Sequence, residues 1–198
     1  MSRTVFLNGD FVPYEEARIP IMDRGFLFAD GIYEVAALVD GRLVDAPAHL
    51  ARLDRSLREI EIANPYATED WLRLMQELAA RNGVAEGLVY IEVTRGVAER
   101  DFAFPPAGTT PTVVMFTQAK RIIGAPAAET GVAVITVPDL RWKRRDIKSV
   151  ALLAQVLAKQ EAARAGVAEA WRVEDEHLTE AAASSAVLLP ADRRIRHP

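Results

Sequence analysis

The chain has 198 residues, half of them hydrophobic, which is enough to bury the core of one large domain or of two small ones. Its 24 basic and 28 acidic residues give a formal charge of −4 without a long block of either sign, so we expect no nucleic-acid partner. The sequence has no cysteine and three scattered histidines, which excludes disulfides and a cysteine nucleophile and makes a metal site unexpected. Its apolar runs are shorter than the ~20 residues of a membrane span, and we expect a cytoplasmic protein.

The first region is predicted to be mostly sheet. Residues from Thr4 to Val12 alternate around the pair Asn8-Gly9, which is typical of a β-hairpin. Strand-like residues continue from Phe26 to Val39. Both segments therefore favour a sheet at the start of the chain.

Two amphipathic helices are predicted next. From His49, apolar residues recur at helical spacing until Asn64-Pro65 supplies a stop. The second helix begins at Thr68, has two acidic residues in its first turn, and ends at Asn82-Gly83.

The rest of the chain alternates strands with one long helix. An Ala- and Leu-rich run from Ser149 to Ala165, ended by Gly166, predicts the helix. Strands are predicted at residues 88–94, 112–117, 132–137, 168–173 and 187–189.

These elements predict an α+β fold with mixed sheets in two domains. Pro126 and Gly131 flank a polar connection, so we expect an N-terminal domain at 1–118, a linker at 119–131 and a second domain at 132–198. The second region has one clear helix and few strands, which is less than a usual domain contains. We therefore expect its C-terminal part to be missing.

Lys148 is the residue whose surroundings most favour chemistry. It follows a cluster of cations within Asp139 to Ser149 and precedes an apolar helix. Nearby positive charge and partial burial disfavour an ammonium, so a lysine in this position is able to attack a carbonyl and form a Schiff base. The alternative is a solvated basic loop joined to a helix by Asp146.

A series of short motifs favours the interpretation of Lys148 as a lysine that forms a Schiff base. The motifs occur in a fixed order along the whole chain: Asp23-Arg24-Gly25-Phe26, Phe28-Ala29-Asp30-Gly31-Ile32-Tyr33-Glu34, His49-Leu50-Ala51-Arg52-Leu53, Val93-Thr94-Arg95-Gly96, Arg141-Trp142, Asp146-Ile147-Lys148-Ser149 and Leu178-Thr179-Glu180. In order and spacing they resemble the fold-type IV pyridoxal-phosphate enzymes, and most closely the D-amino-acid aminotransferases. Each motif is weak alone, but the ordered combination is specific.

The resemblance implies a pyridoxal 5′-phosphate cofactor and a role for three residues. Lys148 matches the lysine that forms the internal aldimine and then moves the substrate proton. Glu180 matches the glutamate that faces the pyridine nitrogen, and Arg52 matches the arginine that binds the phosphate. Without the resemblance, Glu180 reads as a surface acid, and Arg52 is not distinguished from Arg55 and Arg58 on the same predicted helix.

The resemblance also implies the substrates and the assembly. Tyr33 and Arg100 match residues that line the substrate pocket and hold the substrate carboxylate, and the implied reaction is transamination between D-amino acids and 2-oxo acids. Family members form homodimers, so we expect one here. From the residues alone, Tyr33 reads equally well as a packed strand aromatic and Arg100 as a charged loop tip.

Two departures from the family bear on these expectations. Phe102 stands where a histidine accompanies the substrate-binding arginine in D-amino-acid enzymes, and it offers no hydrogen bond. The segment Ala181–Ala186 replaces a glycine and several polar residues of the phosphate-binding region, which leaves Ser184 and Ser185 to supply hydroxyls.

Several rival functions stay open on the sequence. Within the same family they are a branched-chain L-amino-acid transaminase, an aminodeoxychorismate lyase and an R-selective amine transaminase. Outside catalysis, the alternative is an inactive relic or fragment that has lost cofactor binding. Tyr33 and Arg100 favour the D-amino-acid aminotransferase.

Overall fold

The protein is described from a computed structural model, which covers residues 3–187. These residues form two compact units. The first unit contains residues 3–124 together with Asp146–Val150, and the second contains Ala125–Arg145 together with residues 151–187. The short segment that carries Lys148 thus belongs to the first unit, whereas the chain on both sides of it belongs to the second.

The first unit contains an antiparallel sheet of six strands in the order β2-β1-β6-β5-β3-β4. Its elements, in chain order, are β1 (Thr4–Leu7), β2 (Asp10–Pro13), α1 (Arg24–Phe28), β3 (Gly31–Val39), β4 (Arg42–Leu43), α2 (Ala46–Glu59), α3 (Thr68–Arg81), β5 (Gly87–Thr94) and β6 (Thr112–Ala119).

The core of this unit lies between the sheet and the two long helices. Leu53 and Leu57 of α2 and Met75 of α3 are fully buried against strand residues such as Ile91 and Met115. Successive side chains of a strand point to opposite faces, so alternate residues of β3 and β5 enter this core. The two amphipathic helices predicted from the apolar spacing are confirmed, and α2 begins three residues earlier than expected, with a proline in its first turn.

The predicted hairpin is also confirmed. β1 and β2 pair antiparallel, and Asn8 and Gly9 between them have positive φ angles of 51° and 108°. Two-residue hairpin turns of this type need left-handed backbone at both central positions, which asparagine and glycine tolerate best.

The prediction of a strand from Phe26 was wrong for its first residues. Asp23 caps α1 by accepting a hydrogen bond from the Gly25 N–H at 2.8 Å, and α1 ends at Ala29 in the left-handed conformation. The strand therefore begins at Gly31. A side-chain cap within a short segment has overridden the local preference of the aromatic residues.

The second unit is smaller. Its elements are α4 (Pro126–Thr130), β7 (Val134–Pro138), α5 (Leu153–Arg164), β8 (Glu169–Glu174) and β9 (His177–Ala181). β7 and β8 are parallel and joined through α5, and β9 pairs antiparallel with β8. The small buried cluster between α5 and this sheet consists of alanines, namely Ala158, Ala162, Ala170 and Ala182.

Two predictions for this region needed correction, and one strand was missed. The helix expected from Ser149 begins at Leu153, because Ser149 forms a bridge with Ile32 of β3 instead. β9 was not predicted, although it carries Glu180. Val187 lies outside any strand, and residues 188–189 of the last predicted strand lie outside the described residues.

The α+β fold is confirmed, although the sheet of the first unit is antiparallel throughout and only the sheet of the second unit is mixed. Within residues 3–187, none of the helices combines the length and the apolar character that crossing a membrane requires.

Candidate active site

The backbone of Lys148 is held from two sides within the first unit. Its carbonyl accepts a hydrogen bond from the Tyr33 N–H at 3.0 Å, and the Val150 N–H donates to the Gly31 carbonyl at 3.1 Å, so the segment lies along the start of β3. On the other side, the Lys148 N–H donates to the Ser56 hydroxyl of α2 at 3.3 Å. These hydrogen bonds fix the backbone of Lys148 and therefore the position of its Cβ, while the rest of the flexible side chain is free to move.

The amine of Lys148 lies over an aromatic ring. Its Nζ is 4.2 Å from the centroid of the Tyr33 ring, within the range of a cation–π contact. Tyr33 in turn stacks on Tyr90 of β5, and Tyr90 stacks on Phe116 of β6. Burial raises the pKa of Tyr90, whose hydroxyl donates to Glu92 at 2.8 Å. The column of rings therefore fixes the position of Tyr33 beside the lysine.

Arg52 is oriented by a buried carboxylate. Its Nε and Nη2 donate to the two oxygens of Glu34, with the Nη2 contact at 2.9 Å. The Glu34 side chain is 1% exposed, whereas that of Arg52 is 42% exposed. The hydrogen bond from Arg52 to Glu34 raises the pKa of the guanidinium. Arg52 thus keeps its charge and presents part of its guanidinium to solvent.

Glu34 was missed as a site residue, although the sequence contains a signal for it. It occupies an inward position of β3, between Ile32 and Ala36, where an apolar residue is expected. An acid at such a position needs a buried partner, because an unpaired charge in the core is costly.

Arg100 lies apart from these residues in the loop that joins β5 to β6. Its guanidinium is 5.4 Å from the Phe28 ring and 5.5 Å from the Phe102 ring, and these two rings contact each other at 5.4 Å. Arg24 holds the loop by donating to the Asp101 carbonyl at 2.6 Å. Phe102, which cannot replace the hydrogen bonds of a histidine, thus contacts the arginine through its aromatic face.

Three of the cations that precede Lys148 in sequence are paired with carboxylates of the second unit. Arg141 forms hydrogen bonds with Asp139, and Lys143 and Arg145 both donate to Glu174. These two hydrogen bonds lower the pKa of Glu174 to about 2. The expectation from sequence that this cluster acts on Lys148 receives no support from these pairings.

Glu180 lies on β9 of the second unit, with one carboxylate oxygen tied to the backbone that follows it. That oxygen accepts hydrogen bonds from the Ala181 N–H at 3.1 Å and from the Ala186 N–H at 2.7 Å. The carboxylate therefore closes the Ala181–Ala186 segment into a compact turn.

Ser184 is used within the same segment. Its hydroxyl donates to Glu169 at 2.9 Å, and the Ala183 N–H donates to the same oxygen at 3.3 Å. Although burial opposes ionisation, these bonds and that from the Ala170 N–H lower the pKa of Glu169. Ser185 is exposed. Of the two serines expected to bind phosphate, Ser184 thus already has an acceptor, whereas Ser185 faces solvent.

Arg172 is a second residue that sequence reasoning missed. It pairs with Glu180 across β8 and β9, is 2% exposed, and donates from Nη2 to the Ala181 carbonyl. Among the described residues its Nε and Nη1 have no hydrogen-bond partner, and burial lowers the pKa of the guanidinium. Its position on an inner strand face, where the alternation predicts an apolar residue, was the available signal.

The chemistry of these side chains fits pyridoxal phosphate. The first unit holds an amine suited to the aldehyde and a guanidinium suited to the phosphate, namely those of Lys148 and Arg52, which are bound to neighbouring residues at the start of β3. The second unit holds the carboxylate of Glu180, which suits a protonated pyridine nitrogen. The Ala181–Ala186 segment fits less fully, because Glu169 and Glu180 take several of its donors.

Comparisons with known proteins agree with this assignment. A family model described as amino-transferase class IV matches residues 31–198. The D-alanine aminotransferase of Staphylococcus aureus (strain MSSA476) is 38% identical over 196 residues, which are 98% of this chain and 68% of that protein. Such relatives support the predicted enzyme class, a D-amino-acid aminotransferase.

Solved structures support the fold. The branched-chain amino acid aminotransferase of Escherichia coli matches with a TM-score of 0.78 at 18% identity, covering 92% of this chain and 63% of that one. The T.th. branched-chain amino acid aminotransferase, solved with pyridoxamine 5′-phosphate, matches with a TM-score of 0.75 at 21% identity and the same coverage of both chains. At these identities the likeness shows the fold alone.

The chain thus spans about two thirds of the length of the proteins it matches. The resemblance to fold-type IV enzymes read from the ordered motifs is confirmed. The chain belongs to the class IV aminotransferase family.

Proposed function

We propose that this protein catalyses pyridoxal-phosphate-dependent transamination between D-amino acids and 2-oxo acids, with Lys148 as the amine that holds the cofactor. The observation that carries the proposal is the placement of Lys148, whose backbone is bound to β3 and α2 and whose Nζ lies over Tyr33. The identity to D-alanine aminotransferases supports the D-amino-acid substrate. The family resemblance further supports a homodimer.

Each proposed residue has a separate task. When bound, pyridoxal phosphate supplies a ring that accepts the electrons released as the substrate Cα–H bond breaks. Lys148 Nζ would hold the cofactor and then, once free, would carry the proton that leaves the substrate Cα to the cofactor, a transfer that the flexible lysine stem allows. Arg52 anchors the phosphate through its exposed guanidinium edge. Glu180 keeps the pyridine nitrogen protonated, with its carboxylate steadied by backbone N–H groups.

Two residues are proposed to bind the substrate. Arg100 binds the α-carboxylate through its guanidinium, which the rings of Phe28 and Phe102 flank. Tyr33 lines the pocket next to the amine. Within the Ala181–Ala186 segment, the hydroxyl of Ser185 is proposed to assist phosphate binding.

Borohydride trapping tests the proposal. The purified chain is incubated with excess pyridoxal phosphate, reduced with borohydride, and mapped by peptide mass spectrometry. We expect the cofactor to be attached at Lys148, with the label lost in Lys148→Ala and retained in Lys143→Ala. Lys143 is the matched control because it is a neighbouring lysine that is exposed and paired with Glu174.

Two outcomes contradict the proposal in different ways. A chain without label at saturating cofactor is the inactive relic. A labelled chain whose cofactor is converted by L-alanine or L-leucine but not by D-alanine has the stereochemistry of the branched-chain enzymes instead.

A further inference from the structure

We infer that Glu34 is a positioning residue for the phosphate, acting by fixing the guanidinium of Arg52, and that His49 completes this clamp. The inference rests on the proposed function of Arg52. Glu34 sits on the inward face of β3, where its 1% exposed carboxylate lies among apolar side chains. It does not reach solvent, so its role is exerted through its partners.

The geometry leaves one edge of the guanidinium available. Arginine has five N–H donors in a planar fork, and Glu34 takes one from Nε and one from Nη2 of Arg52. The remaining donors are two on Nη1 and one on Nη2, and one from each nitrogen forms the terminal edge of the guanidinium, next to the edge that Glu34 occupies. That terminal edge matches two oxygens of a phosphate, so the carboxylate on one edge orients the fork toward an anion on the next.

His49 holds the carboxylate from a third direction. Its Nδ1 is 3.1 Å from Oε2 of Glu34, and since a carboxylate only accepts, Nδ1 is the donor. The contact of 3.4 Å between Arg52 Nη2 and the same Nδ1 then joins two donors and is not a hydrogen bond. His49 and Arg52 are three residues apart on α2, which places both on the side that faces Glu34.

The neighbouring arginines of α2 show that the arrangement is particular to Arg52. Arg58 pairs with Asp54 on the same helix, and both side chains are exposed. Arg55 donates to the Asp146 carbonyl. Sequence did not distinguish these three arginines, but Arg52 is the one among them that a buried carboxylate orients.

A comparison of two cofactor forms tests the inference. Dissociation constants for pyridoxal phosphate and for pyridoxal, which lacks the phosphate, are measured by absorbance or tryptophan fluorescence titration. In Glu34→Gln we expect affinity for pyridoxal phosphate to fall by about 10- to 100-fold, as for other residues that orient a binding group, and affinity for pyridoxal to change by less than about 3-fold. Asp54→Asn, which breaks an exposed arginine pair on the same helix, is the matched control and leaves both affinities unchanged.

Two further variants keep the test decisive. Glu34→Asp retains the buried charge but shortens the side chain, so it covers the case in which Glu34→Gln does not fold; we expect the same phosphate-specific loss. In an Arg52→Gln background, Glu34→Gln is expected to add no further loss for pyridoxal phosphate.

The outcomes separate the two proposals. If the unmodified protein binds pyridoxal phosphate no more tightly than pyridoxal, the proposed role of Arg52 fails. If it discriminates between the two forms but the Glu34 variants discriminate equally well, or weaken both forms alike, the role assigned to Glu34 is wrong.

Discussion

A second carboxylate near the start of β3 shows how strongly single residues organise the first unit. Asp30 accepts hydrogen bonds from Arg24 at 2.7 Å and from Arg95 at 2.7 and 3.0 Å, and all three side chains are largely buried. Arg95 also donates to the Ile60 carbonyl at 2.6 Å and lies over the Phe104 ring. One acid thus joins α1, the end of β5 and the loop that carries Arg100.

Removal of Asp30 should be costly. In Asp30→Ala two buried arginines lose their counter-charge, so we expect the free energy of unfolding in urea to fall by about 3–5 kcal/mol. In Asp54→Ala, which breaks the exposed pair with Arg58, the expected loss is below about 1 kcal/mol. Equal losses in the two variants would show that burial of the Asp30 cluster contributes nothing.

At the residue scale, the sequence identified candidate site residues better than it predicted the contacts that those residues make. Tyr33, Arg52 and Lys148 were chosen through the family motifs, and the structure brings them together around the start of β3. Their tasks stay a prediction. Glu34 and Arg172 were missed although each stands at an inward strand position, because the residues they contact are identified only by the packing of β3 on α2 and of β8 on β9.

At the scale of elements, the loop between β5 and β6 depends on its first glycine. Gly96 has a φ of +92°, and a Cβ built there would lie 2.0 Å from the Thr110 carbonyl oxygen. Gly108, in the same loop, has the same φ but no atom within 4 Å of such a Cβ. A side chain at either position therefore has the same cost of adopting a positive φ. Only at Gly96 does it also meet a backbone atom at close distance.

Substitution of Gly96 can therefore be tested with the same substitution at Gly108 as its control. Gly108→Ala should lower the free energy of unfolding by about 1 kcal/mol, since alanine disfavours the left-handed region. Gly96→Ala should lower it by about 1–3 kcal/mol more, since the carbonyl must move to accept the methyl group. The check is urea denaturation of both variants, and a Gly96→Ala protein as stable as Gly108→Ala would show that the loop adjusts freely.

Some element boundaries are decided by the local sequence, and others are decided by strand pairing. Asn8-Gly9 and the leucine spacing of α2 predicted their elements, because turn geometry and helical periodicity are local. The helix after Lys148 starts late because Ser149 pairs with β3, a partner more than 100 residues away in sequence. β9 escaped prediction because its short polar sequence becomes a strand through pairing with β8.

At the scale of the whole molecule, the two units differ in how much apolar surface they bury. The core of the first contains large side chains such as Phe6, Trp71 and Met115, whereas the buried cluster described for the second consists of alanines. Burial of apolar area contributes roughly 25 cal/mol per Å², so the first unit has the larger hydrophobic stabilisation.

Hydrogen exchange should report this difference. β5 and β8 are the matched pair, since each has a strand on both sides in its own sheet. We expect the amides of β8 to exchange at a lower free energy of opening than those of β5, measured by native-state exchange with peptide mass spectrometry. Equal protection of the two strands would mean that the units open as one.

The class of enzyme and the fold were determined by the sequence alone, because ordered motifs preserve the residues a chemistry requires, and the family match, the relatives and the solved structures confirm both. The homodimer and the cytoplasmic location stay predictions. Tertiary structure decided that Lys148 returns to the first unit, that Glu34 orients Arg52, and that Glu169 takes the hydroxyl of Ser184. These are contacts between separate segments of the chain, and sequence periodicity does not specify the partner of a residue because folding brings the two side chains together.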